Sequence, residues 1–370
     1  MSASNPIWVT DPTVLSNRLA SRPQYVGLDT EFIRERTFWP QLALVQLAID
    51  DDILLIDPLA PGILEALRVL LLDTSIVKVM HSAGEDLVAF SHSCDAAPTP
   101  LFDTQVAAAL TGIAAGIGYQ RLVGDLLGVE LAKGQTRSDW LKRPLSDAQL
   151  EYAADDVRYL GALYDQLSAR LDALGRRAWF EDDCARQVSA AGSEPEPWPH
   201  LSARGAQHVD GPSRIRLLRL LRWREAHARS QDRPRNWVLD NELAFELARR
   251  PPEDQAQLQR RLDAHPKAPR KLAAQIWTAL DTPLVDEADA PEPPAVEADR
   301  KIVRRMQEAV SALSATLGIP DGVLASRTRL EQLLETGRWP DALSGWRREQ
   351  LEPVLAPLLA KQLPSTDPAV

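Results

Sequence analysis

Short apolar runs separated by polar breaks occupy the first eighty residues at a spacing that predicts strands. The runs are Tyr25–Phe32 (YVGLDTEF), Leu42–Ile49 (LALVQLAI) and Ile53–Asp57 (ILLID), each bounded by charged or proline-containing turns. Gly62–Leu72 has helical spacing, Ile76–Met80 returns as a buried strand, and a helix follows near Glu85-Asp86-Leu87. From Ser146 to Leu174 the pattern predicts one long amphipathic helix, opened by Ser146 as N-cap with Gln149 three positions on, a capping-box arrangement. Strands followed by alternating strand and helix indicate an α/β layer. Beyond residue 200 there is no strand signal, and the chain reads as short helices.

Two stretches interrupt the pattern. Ser189–Pro199 is rich in Pro, Gly and Ser, and residues 281–299 are acidic and proline-rich. They divide the 370 residues, a length suited to two or three domains, into an α/β domain over 1–190, a linker over 191–204, a helical module over 205–280, a second linker over 281–299 and a second helical module over 300–365. Charge then changes the picture. A net charge of −10 is unfavourable for a protein that grips a polyanion. Residues 1–200, however, hold 16 basic and 28 acidic side chains, residues 201–280 hold 16 and 9, and residues 281–370 hold 10 and 15. The positive excess is confined to the middle segment, which suits a nucleic-acid grip, while the acidic first segment suits a site that recruits divalent cations. Solvated surface charge accounts for either feature equally well. No stretch approaches the roughly 18–20 apolar residues of a membrane span. The start has neither a basic nor an apolar export signature, and Cys94 and Cys184 show no metal spacing or disulfide framework. The expectation is a cytoplasmic protein with no membrane partner.

The candidate chemistry lies in carboxylates. Asp29 and Glu31 are two apart on a strand, so both side chains leave the same face. Among Gly27, Leu28 and Phe32 they would repel each other and incur a large desolvation cost unless cations neutralise them. A solvated edge strand is the alternative. Asp86 stands at the start of a helix. Tyr152 and Asp156, four apart, share one helix face, with Asp155 about a quarter turn away. A metal-binding carboxylate beside a phenol that holds the attacking water fits this spacing, as does a core tyrosine beside a surface acid.

Taken together, Asp-x-Glu, an Asp about 55 residues later and Tyr-x-x-x-Asp about 65 further on resemble the three exonuclease motifs of the DEDD superfamily in its tyrosine branch. The surroundings narrow the resemblance to the ribonuclease D family: Leu28–Phe32 (LDTEF), His81–Leu87 (HSAGEDL), Phe102–Gln105 (FDTQ), Lys133–Trp140 (KGQTRSDW) and Tyr152–Leu160 (YAADDVRYL). It covers roughly residues 10–190. The resemblance implies a ribonuclease H-like fold and a 3′→5′ exoribonuclease that releases nucleoside 5′-monophosphates by two-metal hydrolysis. Asp29, Glu31 and Asp156 would hold one ion and Asp29 and Asp86 the other, with Tyr152 orienting the water. Oxygen-only ligands suit Mg²⁺ or Mn²⁺. Asp155 departs from the family, which more often carries a small apolar residue there; it either adds charge near the ions or faces solvent. His81 is expected to be structural. Lys133, Gln135 and Arg137, in a loop between helices, either meet phosphates upstream of the scissile bond or are ordinary surface groups. Gln105 is a further candidate for substrate contact. Phe32 either stacks on the terminal base or packs in the core, and Trp140 is expected to pack the loop down.

In the middle segment Leu217–Glu225 (LLRLLRWRE) followed by Arg233–Asp240 (RPRNWVLD) resembles an HRDC domain. Residues 300–365 would be the second, diverged copy found in the family. The expected architecture is thus an α/β ribonuclease H-like exonuclease domain followed by two small all-α HRDC-type modules. Arg219, Arg222, Arg224, Arg233 and Arg235 either bind phosphates, form a solvated face or dock on the acidic domain, while Trp223 and Trp237 are expected in the core. The resemblance implies RNA as partner, in particular tRNA precursors with 3′ extensions, and a monomer is expected. Two other readings remain open: a single-stranded DNA 3′→5′ exonuclease, and a catalytically silent RNA-binding scaffold.

Overall fold

The apolar runs pair into a mixed six-stranded sheet. The structure is a computed structural model that describes residues 5–131, 138–203, 205–292 and 299–359. In chain order the sheet domain contains β1 (Ile7–Val9), α1 (Pro12–Leu19), β2 (Tyr25–Ile33), β3 (Gln41–Ile49), β4 (Asp52–Ile56), α2 (Ile63–Leu72), β5 (Val77–Met80), α3 (Gly84–Cys94) and β6 (Leu101–Asp103). The strands lie side by side as β1-β4-β3-β2-β5-β6. β2, β3 and β4 are antiparallel neighbours, whereas β1, β5 and β6 join in parallel. Covered on both faces, β3 is a nearly continuous apolar run rather than an alternating one, and Gln46 is the polar residue at its centre. Then follow α4 (Thr104–Leu110), α5 (Tyr119–Leu127), α6 (Asp147–Arg158), α7 (Leu160–Ala173) and α8 (Arg177–Ala191).

The stretch that predicts one helix over Ser146–Leu174 forms two, α6 and α7, because the backbone leaves helical geometry at Tyr159 (φ −107°, ψ 1°). The Tyr119 hydroxyl inserts there, accepting from the Tyr159 amide at 3.2 Å and donating to the Asp155 carbonyl at 3.0 Å, so it satisfies both groups that the broken ladder frees. The capping box at the start of α6 is present: Ser146 N donates to Gln149 Oε1 at 3.0 Å and Gln149 N to Ser146 Oγ at 3.3 Å.

The described residues divide into two compact units, each discontinuous in sequence: those within 1–33, 41–192 and 297–370 contribute to the first, those within 34–40 and 193–296 to the second. The second contains α9 (Gly211–Ser230), α10 (Arg235–Val238), α11 (Asn241–Arg249), α12 (Gln255–Ala264) and α13 (Ala273–Asp281), packed around Leu217, Leu221, Leu243, Leu247, Leu258 and Ile276. Within it Asp232 Oδ1 accepts from the amides of Phe38 (2.9 Å) and Trp39 (3.0 Å), and the Arg229 and Arg235 guanidinium groups lie 5.4 and 4.5 Å from the centre of the Phe38 ring.

The chain re-enters the first unit as α14 (Arg300–Leu317), α15 (Asp321–Leu324), α16 (Arg327–Thr336) and α17 (Trp346–Leu359). Ile302, Met306, Leu330, Leu351 and Leu355 are buried in a cluster continuous with the sheet's own core. Trp346 stacks on Trp179 of α8, with ring centres 4.4 Å apart and planes at 7°. Beside the stack, buried Asp183 accepts from Trp346 Nε1 at 3.1 Å, from Arg347 at 2.5 and 2.8 Å and from Arg186 at 2.5 Å. No helix among the described residues is long and apolar enough to cross a membrane.

Candidate active site

β2 alternates, so Gly27, Asp29 and Glu31 share one face. A Cβ at residue 27 would meet Leu160 Cβ at 3.1 Å, Val157 O at 3.2 Å and Ala48 Cβ at 3.2 Å. The glycine therefore lets the α6–α7 junction settle directly on β2, and this brings Tyr152 and Asp156 toward the two strand acids.

Asp86 arrives from α3, and the turn before that helix is held by Asp103. Ser82 is in the left-handed region (φ +58°), a conformation that costs a non-glycine residue about 1 kcal/mol or more. The fully buried Asp103 carboxylate accepts from the amides of Ser82 and Ala83, both at 3.0 Å, and also caps α4 through Gln105 N at 2.8 Å. Thr30 Oγ1 donates to Asp86 Oδ1. His81 lies one shell out: Thr104 Oγ1 donates to Met80 O at 3.1 Å, so His81 Nδ1, 2.8 Å from the same hydroxyl, acts as the donor to it. Its Nε2 is buried without a hydrogen-bond partner.

The four acids perturb one another. Burial and the charges of Asp86, Asp156 and Glu31 hold the Asp29 carboxyl well above the ordinary carboxylate range. Burial, then Asp156 and Asp86, push Glu31 up to about 8. Asp86 rises to about 7 through burial, partly offset by the Thr30 hydrogen bond, and Asp156 to about 7 through burial, partly offset by the Tyr152 hydroxyl. Tyr152 is raised in turn by burial and by Asp156, Glu31 and Asp29. Asp156 Oδ2 is buried without a hydrogen-bond partner. As the side chains stand, no three His, Cys, Asp or Glu among the described residues converge on one ligating point.

The other candidates are placed as follows. Phe32 follows a register shift in β2 and packs, half-buried, against the core. The Gln105 side-chain amide donates to Ile117 O at 3.0 Å. Trp140 is buried with its ring centre 6.1 Å from that of Tyr152. Asp155 pairs with Arg158 at 2.8 Å, and Arg158 also reaches Glu151 at 2.9 Å; the Asp155 charge nevertheless adds to the upward shift of Asp156. Lys133, Gln135 and Arg137 lie outside the described residues. Sequence reasoning missed Gln46, which faces Asp29 across the β2–β3 pair and is fully buried with neither amide atom bonded to protein. Its signal was a single amide inside an otherwise apolar run. It also missed Tyr119, whose partners are backbone groups 36 and 40 residues away and leave no local pattern.

Comparison with known proteins extends this geometry. Residues 7–172 match the family described as 3′–5′ exonuclease, and residues 215–280 match the HRDC domain. The ribonuclease D of Xanthomonas oryzae pv. oryzae is 55% identical over 96% of this chain and 98% of its own length. That of Pseudomonas paraeruginosa is 37% identical over 93% and 95%. The crystal structure of Escherichia coli RNase D, described as an exoribonuclease involved in structured RNA processing, superimposes with a TM-score of 0.84 at 32% identity, covering 97% of this chain and 100% of that one.

Proposed function

Because this chain belongs to the ribonuclease D family and is a 3′→5′ exoribonuclease, we propose that Asp29, Glu31, Asp86, Tyr152 and Asp156 form its active site, and that it releases nucleoside 5′-monophosphates one at a time from RNA. The observation that carries the assignment is that four largely buried carboxylates contributed by β2, α3 and α6 are all held above the ordinary carboxylate range, with Asp29 and Glu31 raised by the charges of Asp86 and Asp156.

The family implies dependence on divalent metal, and the residues fit it. Hard oxygen donors, no Lys or Arg among the described residues that act on these acids, and the orphaned Asp156 Oδ2 are what a divalent cation requires. We assign two ions, Mg²⁺ or Mn²⁺, one to Asp29, Glu31 and Asp156 and the other to Asp29 and Asp86. Bound there, they would offset the acids' repulsion and supply Lewis acidity to water and to the phosphodiester oxygens. The chain's own groups do the rest. Thr30 and the Asp103-held turn fix Asp86. The Tyr152 phenol, raised above its usual range, stays protonated at neutral pH and serves as an orienting hydrogen-bond group rather than as a base. Phe32, Gln105, Lys133, Gln135 and Arg137 are proposed contacts to the RNA.

We further propose 3′-extended tRNA precursors as a natural substrate, which the description of the Escherichia coli relative supports, and residues 300–365 as a diverged second HRDC-type module. The test is incubation of a 3′-extended tRNA, an unstructured RNA and a single-stranded DNA with Mg²⁺ or Mn²⁺, with product analysis. Stepwise 3′ shortening of RNA with release of 5′-monophosphates is expected. Equal or faster degradation of the DNA would replace this reading by that of a DNA exonuclease.

A further inference from the structure

The arginines of α9 are not free. Arg219 is held bidentate by Glu287, at 2.6 Å on both arms, and also donates to Leu280 O at 2.8 Å. Arg222 donates to Asp286 Oδ1 and to Pro197 O, both at 2.6 Å, and its guanidinium lies 4.7 Å from the centre of the Trp198 ring. Arg214 reaches Glu292 at 3.0 Å. A fourth tie joins the two segments that flank the module, His200 Nε2 lying 3.2 Å from Pro291 O. The three acids belong to residues 281–292, a stretch that starts at the last residue of α13 and holds five acidic and no basic side chains.

What holds this stretch down is charge. None of residues 281–292 is buried, and Val285 is fully exposed, so almost no apolar surface is removed from water along it. Three ion pairs and a few polar contacts fix it to α9. One of them has the form of a phosphate contact: the planar Arg219 guanidinium fork takes two oxygens of Glu287 as it would take two oxygens of a phosphodiester. Directly beside Arg219 and Arg222 opens an apolar groove of about 580 Å³, walled by Trp223, Ala226, Ala274 and Thr278 and bounded by Pro283 and Leu284 of the same acidic stretch. An indole beside two arginines is the combination on which an unpaired base stacks while its phosphate is neutralised.

We infer that residues 281–292 are a displaceable acidic strap, and that Arg214, Arg219 and Arg222, with the groove at Trp223, form a binding surface for single-stranded RNA that the strap occupies in the absence of RNA. This rests on the reading of the chain as an RNA-handling enzyme. RNA phosphates take the places of Asp286, Glu287 and Glu292, and the released strap, being acidic and without buried apolar anchors, remains in solvent. The surface is therefore used in competition: weak or short ligands leave the strap in place, and longer RNA removes it.

The experiment uses the full chain in EDTA, so that RNA is bound but not cut, and a fluorescent single-stranded oligoadenylate. Affinity is measured across a salt series for the wild type and for the variant Asp286→Asn/Glu287→Gln/Glu292→Gln. The variant is expected to bind about five- to tenfold more tightly at low salt. Its slope of log K against log salt should steepen by about 0.7 for each arginine released to a phosphate. Adding Arg219→Gln and Arg222→Gln to the variant should abolish the gain. Equal or weaker binding by a folded variant overturns the proposal, as does a wild type that binds no RNA. Should the variant fail to fold, amide hydrogen exchange of residues 281–292 in the wild-type chain decides: RNA should speed it, and unchanged or slowed exchange overturns displacement. Exonuclease activity on a short RNA with Mg²⁺ is read separately, so loss of the catalytic reading and loss of the strap remain distinguishable.

Discussion

Of the places in the first unit that bury carboxylates, two treat the charge in opposite ways. At the junction of α8 and α17, Asp183 is surrounded by Arg347, Arg186 and the Trp346 indole; burial alone would raise its carboxyl, but these donors outweigh it and hold the group below its usual range. At the β2 face, Asp29, Glu31, Asp86 and Asp156 have one another for neighbours, and all four are pushed upward. The first acid is answered by the fold and contributes to stability. The second set has no such answer among the described residues, a cost in stability that is expected of a functional site.

The comparison breaks most visibly at Asp29. Asp29→Asn is expected to reduce RNA cleavage by about 10³-fold or more, since a ligand proposed to be shared by both ions is lost, while the metal-free protein melts at a higher temperature than wild type because a repelling charge is gone. Near-normal turnover would remove the cluster from catalysis. Asp183→Ala should do the reverse: about 3–5 kcal/mol of stability lost in urea unfolding, because Arg347 and Arg186 are left without their acid, with little change in the rate on short RNA under conditions where the variant is folded. A loss under 1 kcal/mol would show that this junction does not hold the C-terminal helices. Tyr152→Phe sits between the two, expected to lower the rate by about 10²-fold with stability unchanged; an unaffected rate would make the phenol structural.

The smallest effect is in pH and separates the two acid sets by sign. Carboxyls whose folded values are raised bind more protons in the native state than in the unfolded one. The metal-free protein should therefore lose stability as pH rises from about 5 to about 8. Asp183, whose folded value is depressed, contributes throughout that window, and its contribution is lost only as pH falls below the ordinary carboxylate range. Thermal unfolding in EDTA across this range should slope downward, and saturating Mg²⁺ should flatten it. A flat curve in EDTA would mean that the four acids are less strongly coupled than their surroundings indicate.

Much of the site was legible in the sequence because its signals are local. The Asp29/Glu31 alternation, the Tyr152/Asp156 spacing and the Ser146 cap each fit within one element, and β2 to β5 are long or apolar enough to show. What was not legible depends on distant partners. β1 and β6 have only three residues each, too few to establish a period. The helix break at Tyr159 is imposed by Tyr119 from another element. The excess of arginine in the middle segment looked like an open grip, yet Arg219, Arg222, Arg224 and Arg235 all have protein partners that composition does not reveal. Nor does any local pattern state that α14–α17 share the core of the sheet domain.

That sharing has a consequence during synthesis. Trp179 is made roughly 170 residues before Trp346, which stacks on it. At about 5–20 residues per second, the sheet domain waits roughly 10–30 s on the ribosome before α17 arrives. In the meantime the faces that α14–α17 will cover are open to solvent and to chaperones, while residues 193–296, nearly contiguous in sequence, can complete most of their own core. A message cut short between residues 300 and 345 yields every proposed catalytic side chain but neither Trp346 nor Arg347, so the junction at Asp183 stays open.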